Sequence, residues 1–316
     1  MTEESIRALN RKTLDDAVSC RPDRPLYHYT NQTGLLGIIR SKEIWATHTQ
    51  YLNDSREFSY AVRMVRDELA LLNREDGSRV FEEPPEMRSK DLREPGVYQN
   101  EKRAALKAMR ELVADPARIA MINVCVASFS EVRDSLSQWR AYAPRGGFCM
   151  AVSGDRLADM AAAEGFWLAP CVYDRGHQLA LVHKLSEAVI GEYILLQVRP
   201  DAAQLPSRDN ILLEYLNRYA PLLKDPSFAE EREWRIISRP LPCTSPRFCF
   251  REGKSMLAPF YRFPLHREGE PVPLEEIIVD PTPDPERSAA SVKSFLVSQD
   301  YRGVVVTHSA VPYRNW

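Results

Sequence analysis

Short strand-like runs and amphipathic helical segments alternate irregularly along the chain, and the last third is mostly strand-like. The longest β-branched apolar run, residues 119–129, predicts a buried central strand. The clearest helical pattern covers residues 54–72, where apolar side chains recur at spacings of four and three. This irregular order with a strand-rich end predicts the α+β fold class.

The domain organisation follows from length and from local composition. A chain of 316 residues is long enough for two domains of about 150 residues or for one large domain. We interpret residues 1–24 as a polar N-terminal arm and residues 25–316 as a single α+β domain. Residues 73–100 carry 12 charged residues and three prolines without apolar periodicity, and this predicts an exposed, charged excursion from that domain.

The overall charge and the cysteine spacing exclude several classes of protein. Lys and Arg number 42 against 44 Asp and Glu, a net charge of −2, so there is no global basic field to attract nucleic acid or a membrane. The six cysteines include no CxxC pair, which indicates reduced thiols. No apolar run approaches the roughly 18 residues of a membrane span, and the N-terminus lacks a signal-peptide pattern. We therefore predict a cytoplasmic protein without a membrane partner.

Two candidate functional segments lie in the first 60 residues. In the first, residues 27–30, His28 stands between two tyrosines on a predicted strand. It either offers a ring nitrogen to a ligand hydroxyl or is a hydrogen-bonded core histidine. The second segment is residues 51–57, where Asp54 and Glu57 also fit a capping box at the start of the following helix.

Two further segments lie near the ends of later strands. In residues 128–142, two serines and an arginine can present hydroxyls and a cation to a phosphate. Asp134 is equally suited to cap a helix, and Trp139 to fill a core. In residues 231–235, strand alternation would place both glutamates and Arg235 on one face. Such a face is either a solvated sheet edge or a set of carboxylates facing a polar ligand.

The order of these segments, with a closing Ser-x-x-Pro-Tyr-Arg, resembles the bacterial domain-of-unknown-function family 2971. The resemblance covers about residues 26–314. The motifs that carry it are His28-Tyr29-Thr30, Tyr51 to Glu57, Ser128 to Tyr142, Glu231 to Arg235, and Ser309 to Arg314. The family name implies no activity.

A looser resemblance implies a mechanism. The His-x-Thr strand followed by a Leu-Leu-x-Ile-Ile helix is similar to the opening of ADP-ribosyltransferase-fold proteins. This resemblance implies a mixed, largely antiparallel (split) sheet with flanking helices and NAD as the cofactor, used as a substrate. It also implies that His28 holds a ribose, that Tyr51 stacks on nicotinamide and that Glu233 completes the site. We expect these three side chains to converge on one pocket.

The same resemblance assigns the remaining site residues. Glu233 and Glu231 are the predicted catalytic pair, one stabilising an oxocarbenium-like state and the other taking a proton from the acceptor. The other predicted NAD-binding residues are Thr30, Ser128, Ser130 and Arg140, and no metal is expected.

The leading hypothesis is therefore an NAD-dependent ADP-ribosyltransferase-like enzyme, of the kind found among toxins and phage-defence effectors. Its acceptor would be a protein or a nucleic acid, and a cognate antitoxin or defence partner would accompany it. One alternative is a metal-dependent nuclease that uses Asp54, Glu57, Asp134 and Glu233. Another is a non-catalytic nucleotide-binding protein.

Overall fold

A computed structural model describes residues 3–18, 20–52, 55–75, 97–144, 146–198, 208–253, 255–267 and 269–312. The contacts divide the chain into two compact units. The first, called the helical unit here, comprises residues 1–19, 53–123 and 172–226. The second, called the sheet unit, comprises residues 20–52, 124–171 and 227–316. The prediction of a single folding domain over residues 25–316 stays a prediction.

The helical unit is built around one long helix that packs against four others. With elements numbered along the chain, its helices are α1 (Glu3–Val18), α3 (Ser55–Glu75), α4 (Val97–Ala114), α5 (Pro116–Ile119), α8 (Arg175–Val198) and α9 (Arg208–Tyr219). The long helix α8 contacts α1, α3, α4 and α9. Helix α1 lies in the stretch that we predicted as a polar arm, and its buried Leu14 shows that this stretch packs on its neighbours.

The sheet unit contains the strands and the remaining helices. Its strands are β1 (Leu26–Asn31), β2 (Glu43–His48), β3 (Cys125–Ser130), β4 (Gly147–Val152), β5 (Trp167–Pro170), β6 (Glu233–Ile237), β7 (Phe248–Glu252), β8 (Leu257–Pro264), β9 (Leu274–Val279) and β10 (Val305–His308). Its helices are α2 (Gln32–Ser41), α6 (Leu136–Tyr142), α7 (Gly154–Ala163) and α10 (Pro285–Ser298).

Three arms of the sheet meet at β3. One edge of β3 pairs with β6, which in turn pairs with β5. The other edge pairs at Ser130 with β1, and at Cys125 and Val126 with β2. From β1 the sheet continues through β4 and β9 to β10, and from β2 through β8 to β7. Among the strand pairs of the described residues, β9–β10 alone is parallel. The structure thus confirms an α+β fold with a mostly antiparallel open sheet and flanking helices.

The two faces of this sheet differ in character. The face called the core face carries Leu26, Phe129, Met150 and Trp234, which pack with apolar residues of α2, α7 and α10. The other face, called the site face, carries Tyr29 and Cys149, packed against Trp139 of α6. It also carries the polar residues of β3 and β6, so it holds the chemistry of the sheet unit.

Local sequence signals explain where several elements begin and end. The Asn31 side chain caps α2 by accepting a hydrogen bond from the Gly34 amide over 2.8 Å. The predicted strand over residues 119–129 is shorter in the structure, because Asp115 caps a helical turn that begins at Pro116. Of the predicted excursion 73–100, residues 76–96 lie outside the described residues and 97–100 are helical. No helix in the described stretches is long and apolar enough to cross a membrane.

Candidate functional site

A buried ion pair on β6 is the centre of the candidate site. Arg235 donates from Nε to Glu233 Oε1 over 2.8 Å and from Nη2 to Oε2 over 3.0 Å. Arg235 is 3% exposed and Glu233 is 5% exposed. Because β6 lies between β3 and β5, the solvated-edge interpretation of this segment is wrong. We predicted from strand alternation that Arg235 shares a face with Glu233, but we gave Arg235 no role in the site. A Glu-x-Arg pair on a strand places the two side chains on one face, and this spacing predicts the ion pair.

Two serines of β3 share the site face with this pair. Ser130 is directly opposite Glu233, and Ser128 is opposite Arg235. The Ser130 hydroxyl donates to the carbonyl of Glu231 over 2.6 Å and accepts from the Val132 amide over 3.0 Å. Ser130 therefore fixes the backbone next to the ion pair, while half-buried Ser128 stands beside the guanidinium.

Glu231 does not lie on the strand with Glu233. It ends a 3₁₀ helix, Pro226–Glu231, and Arg232 then adopts a left-handed backbone with φ of 41°. The prediction that Glu231, Glu233 and Arg235 alternate along one strand is wrong for Glu231, because the strand begins at Glu233. A left-handed conformation in a residue other than glycine is strained, and such strain is concentrated at functional sites.

His28 lies on the other face of the sheet. Tyr27 is paired with Ser130, so His28 is next to Phe129, and their rings are 5.6 Å apart. Successive side chains of a strand point to opposite faces, so His28 belongs to the core face and Glu233 to the site face. The prediction that they converge on one pocket is wrong. The pairing of Tyr27 with Ser130 puts His28 and Glu233 on opposite faces. This pairing joins residues that are far apart in the sequence, so no local pattern predicts it.

The His28 ring is held in one tautomer. Its Nδ1 is 2.9 Å from the Ser128 carbonyl, which can only accept, so Nδ1 carries the proton and Nε2 is left as an acceptor. Burial lowers the pKa of this histidine below its usual value, which favours the neutral ring. On this edge of β3, β1 pairs at Ser130 and β2 pairs at Cys125 and Val126, so Ser128 lies between the two pairings. The His28 ring provides a hydrogen-bond partner for the Ser128 carbonyl there.

The remaining predicted binding residues are dispersed. Thr30 is opposite Phe148 on the core face, and a Cβ added at Gly34 would meet its hydroxyl at 1.9 Å, so it packs against the start of α2. Tyr51 ends a 3₁₀ helix after β2, is exposed and contacts the His48 ring edge-on at 5.4 Å. Arg140 is exposed on α6.

The residues of the nuclease alternative do not form a described metal site. Asp134 accepts hydrogen bonds from Trp139 Nε1, the Ser309 hydroxyl and the Ala310 amide, so its carboxylate is engaged in structural contacts. Asp54 and the Glu57 side chain lie outside the described residues. Within the residues that the structure covers, no group of three or more His, Cys, Asp and Glu could hold a metal ion.

The fold and site define an α+β protein whose mostly antiparallel sheet buries a glutamate–arginine pair on one face. Residues 138–236 match the family described as "Protein of unknown function (DUF2971)", and this match confirms the family that the motifs predicted. The matched stretch runs from α6 through β6 and so includes both members of the ion pair. No curated protein and no solved structure matches the chain, and nothing in these comparisons supports the ADP-ribosyltransferase resemblance.

Proposed function

We propose that this protein is an NAD-dependent ADP-ribosyltransferase-like enzyme whose site lies around Glu233 and Arg235 on the site face. The observation that carries the proposal is the bidentate hydrogen bonding that fixes the Glu233 carboxylate against the Arg235 guanidinium, which lies opposite Ser128. Well-packed apolar side chains stabilise a core as well as a buried ion pair does, or better. A buried pair on this face is therefore better explained by a ligand than by stability.

ADP-ribosyl transfer requires a carboxylate that is already held in position when NAD binds. Cleavage of the bond between nicotinamide and ribose develops positive charge on the sugar, and Glu233 would stabilise that charge. Water or an acceptor group then forms the new bond to the ribose carbon and loses its proton to Glu231, which lies two residues before Glu233. The strained backbone of Arg232 separates the two carboxylates.

Two features bear on the proposed likeness to the ADP-ribosyltransferase fold. Strands β1 and β2 pair with the same edge of β3, and this branching supports the split sheet that the likeness implies. His28 departs from the pattern, because it faces the core and cannot hold a ribose against Glu233. The proposal therefore keeps the glutamate half of the predicted site and removes His28 and Thr30 from it. The resemblance alone is the basis for proposing an acceptor, a toxin or defence role and a cognate partner.

A second candidate function is nucleotide binding without catalysis. It is favoured by the engagement of both Glu233 carboxylate oxygens by Arg235, which reduces the charge available to stabilise an oxocarbenium-like state. In that case the guanidinium, rather than the carboxylate, would bind the ligand through its phosphates.

The deciding experiment combines a thermal shift with a product assay. The wild-type protein is incubated with NAD, and nicotinamide release is followed by chromatography. We expect a raised melting temperature, nicotinamide release, and a loss of about a hundredfold in turnover for Glu233→Gln. Ser128→Ala, which leaves the ion pair intact, should weaken NAD binding, whereas Glu252→Gln on exposed β7 serves as the control.

Each outcome separates the candidates. A thermal shift without nicotinamide release would favour the non-catalytic protein. No shift and no release would overturn both. Because Glu233→Gln also disrupts a buried pair, its loss of turnover counts only if its circular dichroism spectrum matches that of the wild type.

A further inference from the structure

An exposed tryptophan lies on the arm of the sheet formed by β2, β8 and β7. Trp45 of β2 is 49% exposed, although a strand residue of this size usually packs against a neighbour. Its indole stacks on the buried ring of Phe260 of β8, with the centroids 4.4 Å apart and an angle of 29° between the planes. One indole face is thus fixed by the sheet, and the ring is held as a rigid platform.

Two arginines flank this indole on the same face. Arg262 is directly opposite Trp45 in the β2–β8 pair. Arg251 of β7 is opposite Ala258, two residues from Phe260, and its Nη2 reaches the Thr47 hydroxyl at 3.4 Å. We call Trp45, Phe260, Arg251 and Arg262 the aromatic platform.

The charge of these two arginines is compensated only in part. Within the described part of the chain, Arg251 has no carboxylate at ion-pair distance. Arg262 forms a long ion pair with Glu43, 3.9 Å from Nη1 to Oε2, and its Nη2 donates to the Pro246 carbonyl over 3.4 Å, whereas its buried Nε has no hydrogen-bond partner among the described residues. An exposed aromatic face between two such guanidinium groups complements a ligand that carries both flat rings and negative charge.

We propose that the aromatic platform binds single-stranded nucleic acid. A base stacks on Trp45, and Arg251 and Arg262 contact the phosphates on either side of it. This combination of stacking and backbone contacts is the usual way in which proteins bind single strands without reading their sequence. A protein partner would match this surface only if it placed a flat side chain between two carboxylates, whereas a single strand repeats base and phosphate along its whole length. The inference is independent of the proposed function, since it uses none of the residues around Glu233.

The test is a titration of a fluorescein-labelled twelve-nucleotide oligo-dT, followed by anisotropy. We expect saturable binding by the wild-type protein that weakens with salt. Trp45→Ala should raise the Kd about tenfold, because stacking on an aromatic contributes about 1–3 kcal/mol per base. Trp45→Phe should retain most of the affinity. Arg251→Gln should reduce the slope of log K against log salt concentration by about 0.7, the value for one phosphate contact on a single strand.

Phe250→Ala is the matched control. Phe250 is also an exposed aromatic of β7, at 57%, but it is opposite Pro259 and points to the other face. Its removal should leave the Kd unchanged. Absence of saturable binding would overturn the proposal, as would equal losses in Trp45→Ala and Phe250→Ala. A dimer that light scattering detects in the wild type and not in Trp45→Ala would also overturn it, because a second copy would then cover the platform.

Discussion

The Ser309 hydroxyl donates a hydrogen bond to Asp134 Oδ1 over 2.6 Å, across 175 residues of sequence. The same oxygen accepts from Trp139 Nε1 over 2.7 Å, and Oδ2 accepts from the Ala310 amide over 2.8 Å. The third family motif and the start of the closing motif therefore meet at one carboxylate. Their joint presence is explained by folding rather than by catalysis.

Asp134→Ala should lower the free energy of unfolding by about 3 kcal/mol, because three donors lose a charged acceptor. Urea denaturation at neutral pH measures the change. Asp159→Ala removes an exposed carboxylate whose one ion pair among the described residues is with exposed Arg21, so it should change stability by less than about 1 kcal/mol. A double-mutant cycle with Ser309→Ala should show coupling, and strict additivity would contradict the structural role.

Local pattern was enough to predict many elements. The helix predicted over residues 54–72 agrees with α3, because its regularly spaced apolar residues are buried, as Val65, Leu69 and Leu72 show. Helix α1 was missed because the apolar residues of its polar sequence are few and widely spaced. Its packing comes from distant contacts, such as the bidentate pair of Asp15 with Arg218 of α9.

The predicted site residues do not all share one face of the sheet, for two physical reasons. Strand alternation is reliable only where the strand continues, and the left-handed Arg232 ends it just before Glu233. The side of the sheet on which His28 lies depends on the pairing of Tyr27 with Ser130. A long-range register of that kind leaves no trace in one sequence. Glu233 was predicted from the resemblance, and strand alternation added only that Arg235 shares its face.

The Glu233–Arg235 pair should respond in opposite ways to single and double replacement. Glu233→Gln removes the charged acceptor of two hydrogen bonds from a buried guanidinium and should cost about 3–5 kcal/mol of stability. Replacing both residues with methionine removes both charges and should recover most of that loss. Guanidinium denaturation compares the variants. If Glu233→Gln left stability unchanged, solvent would have to reach the Arg235 guanidinium, and this would contradict a buried pair.

His28 should make stability depend on pH below neutrality. Burial lowers its pKa in the folded state below the ordinary 6.5, so the unfolded chain binds a proton first as the pH falls. The stability contributed by the neutral ring is therefore present above about pH 6.5 and is lost as the pH falls through the folded pKa. His28→Gln should cost about 1 kcal/mol at pH 7.5 and less at pH 5. Equal costs at both values would contradict a neutral, buried ring.

Asp280 should make stability depend on pH in the opposite direction to His28. It follows β9 and is buried, and desolvation raises its pKa from 3.8 to about 6, although the Gly147 backbone partly offsets the effect by hydrogen bonding to the carboxylate. The folded state therefore holds its proton at a pH where the unfolded chain has released it. Stability falls as the pH rises from about 4 to 6, and the cost persists above pH 6.

Asp280→Asn should remove this cost, because the amide keeps an oxygen to accept from the backbone and carries no charge. We expect a gain of about 1 kcal/mol at pH 7.5, after a discount for solvent screening, and no gain at pH 4. Thermal unfolding at the two pH values measures both. Asp284→Asn is the control: Asp284 caps α10 by accepting from the Arg287 amide, and asparagine caps as well as aspartate. If Asp280→Asn destabilised the protein at pH 7.5, the Asp280 carboxylate would instead have a favourable partner in the folded state.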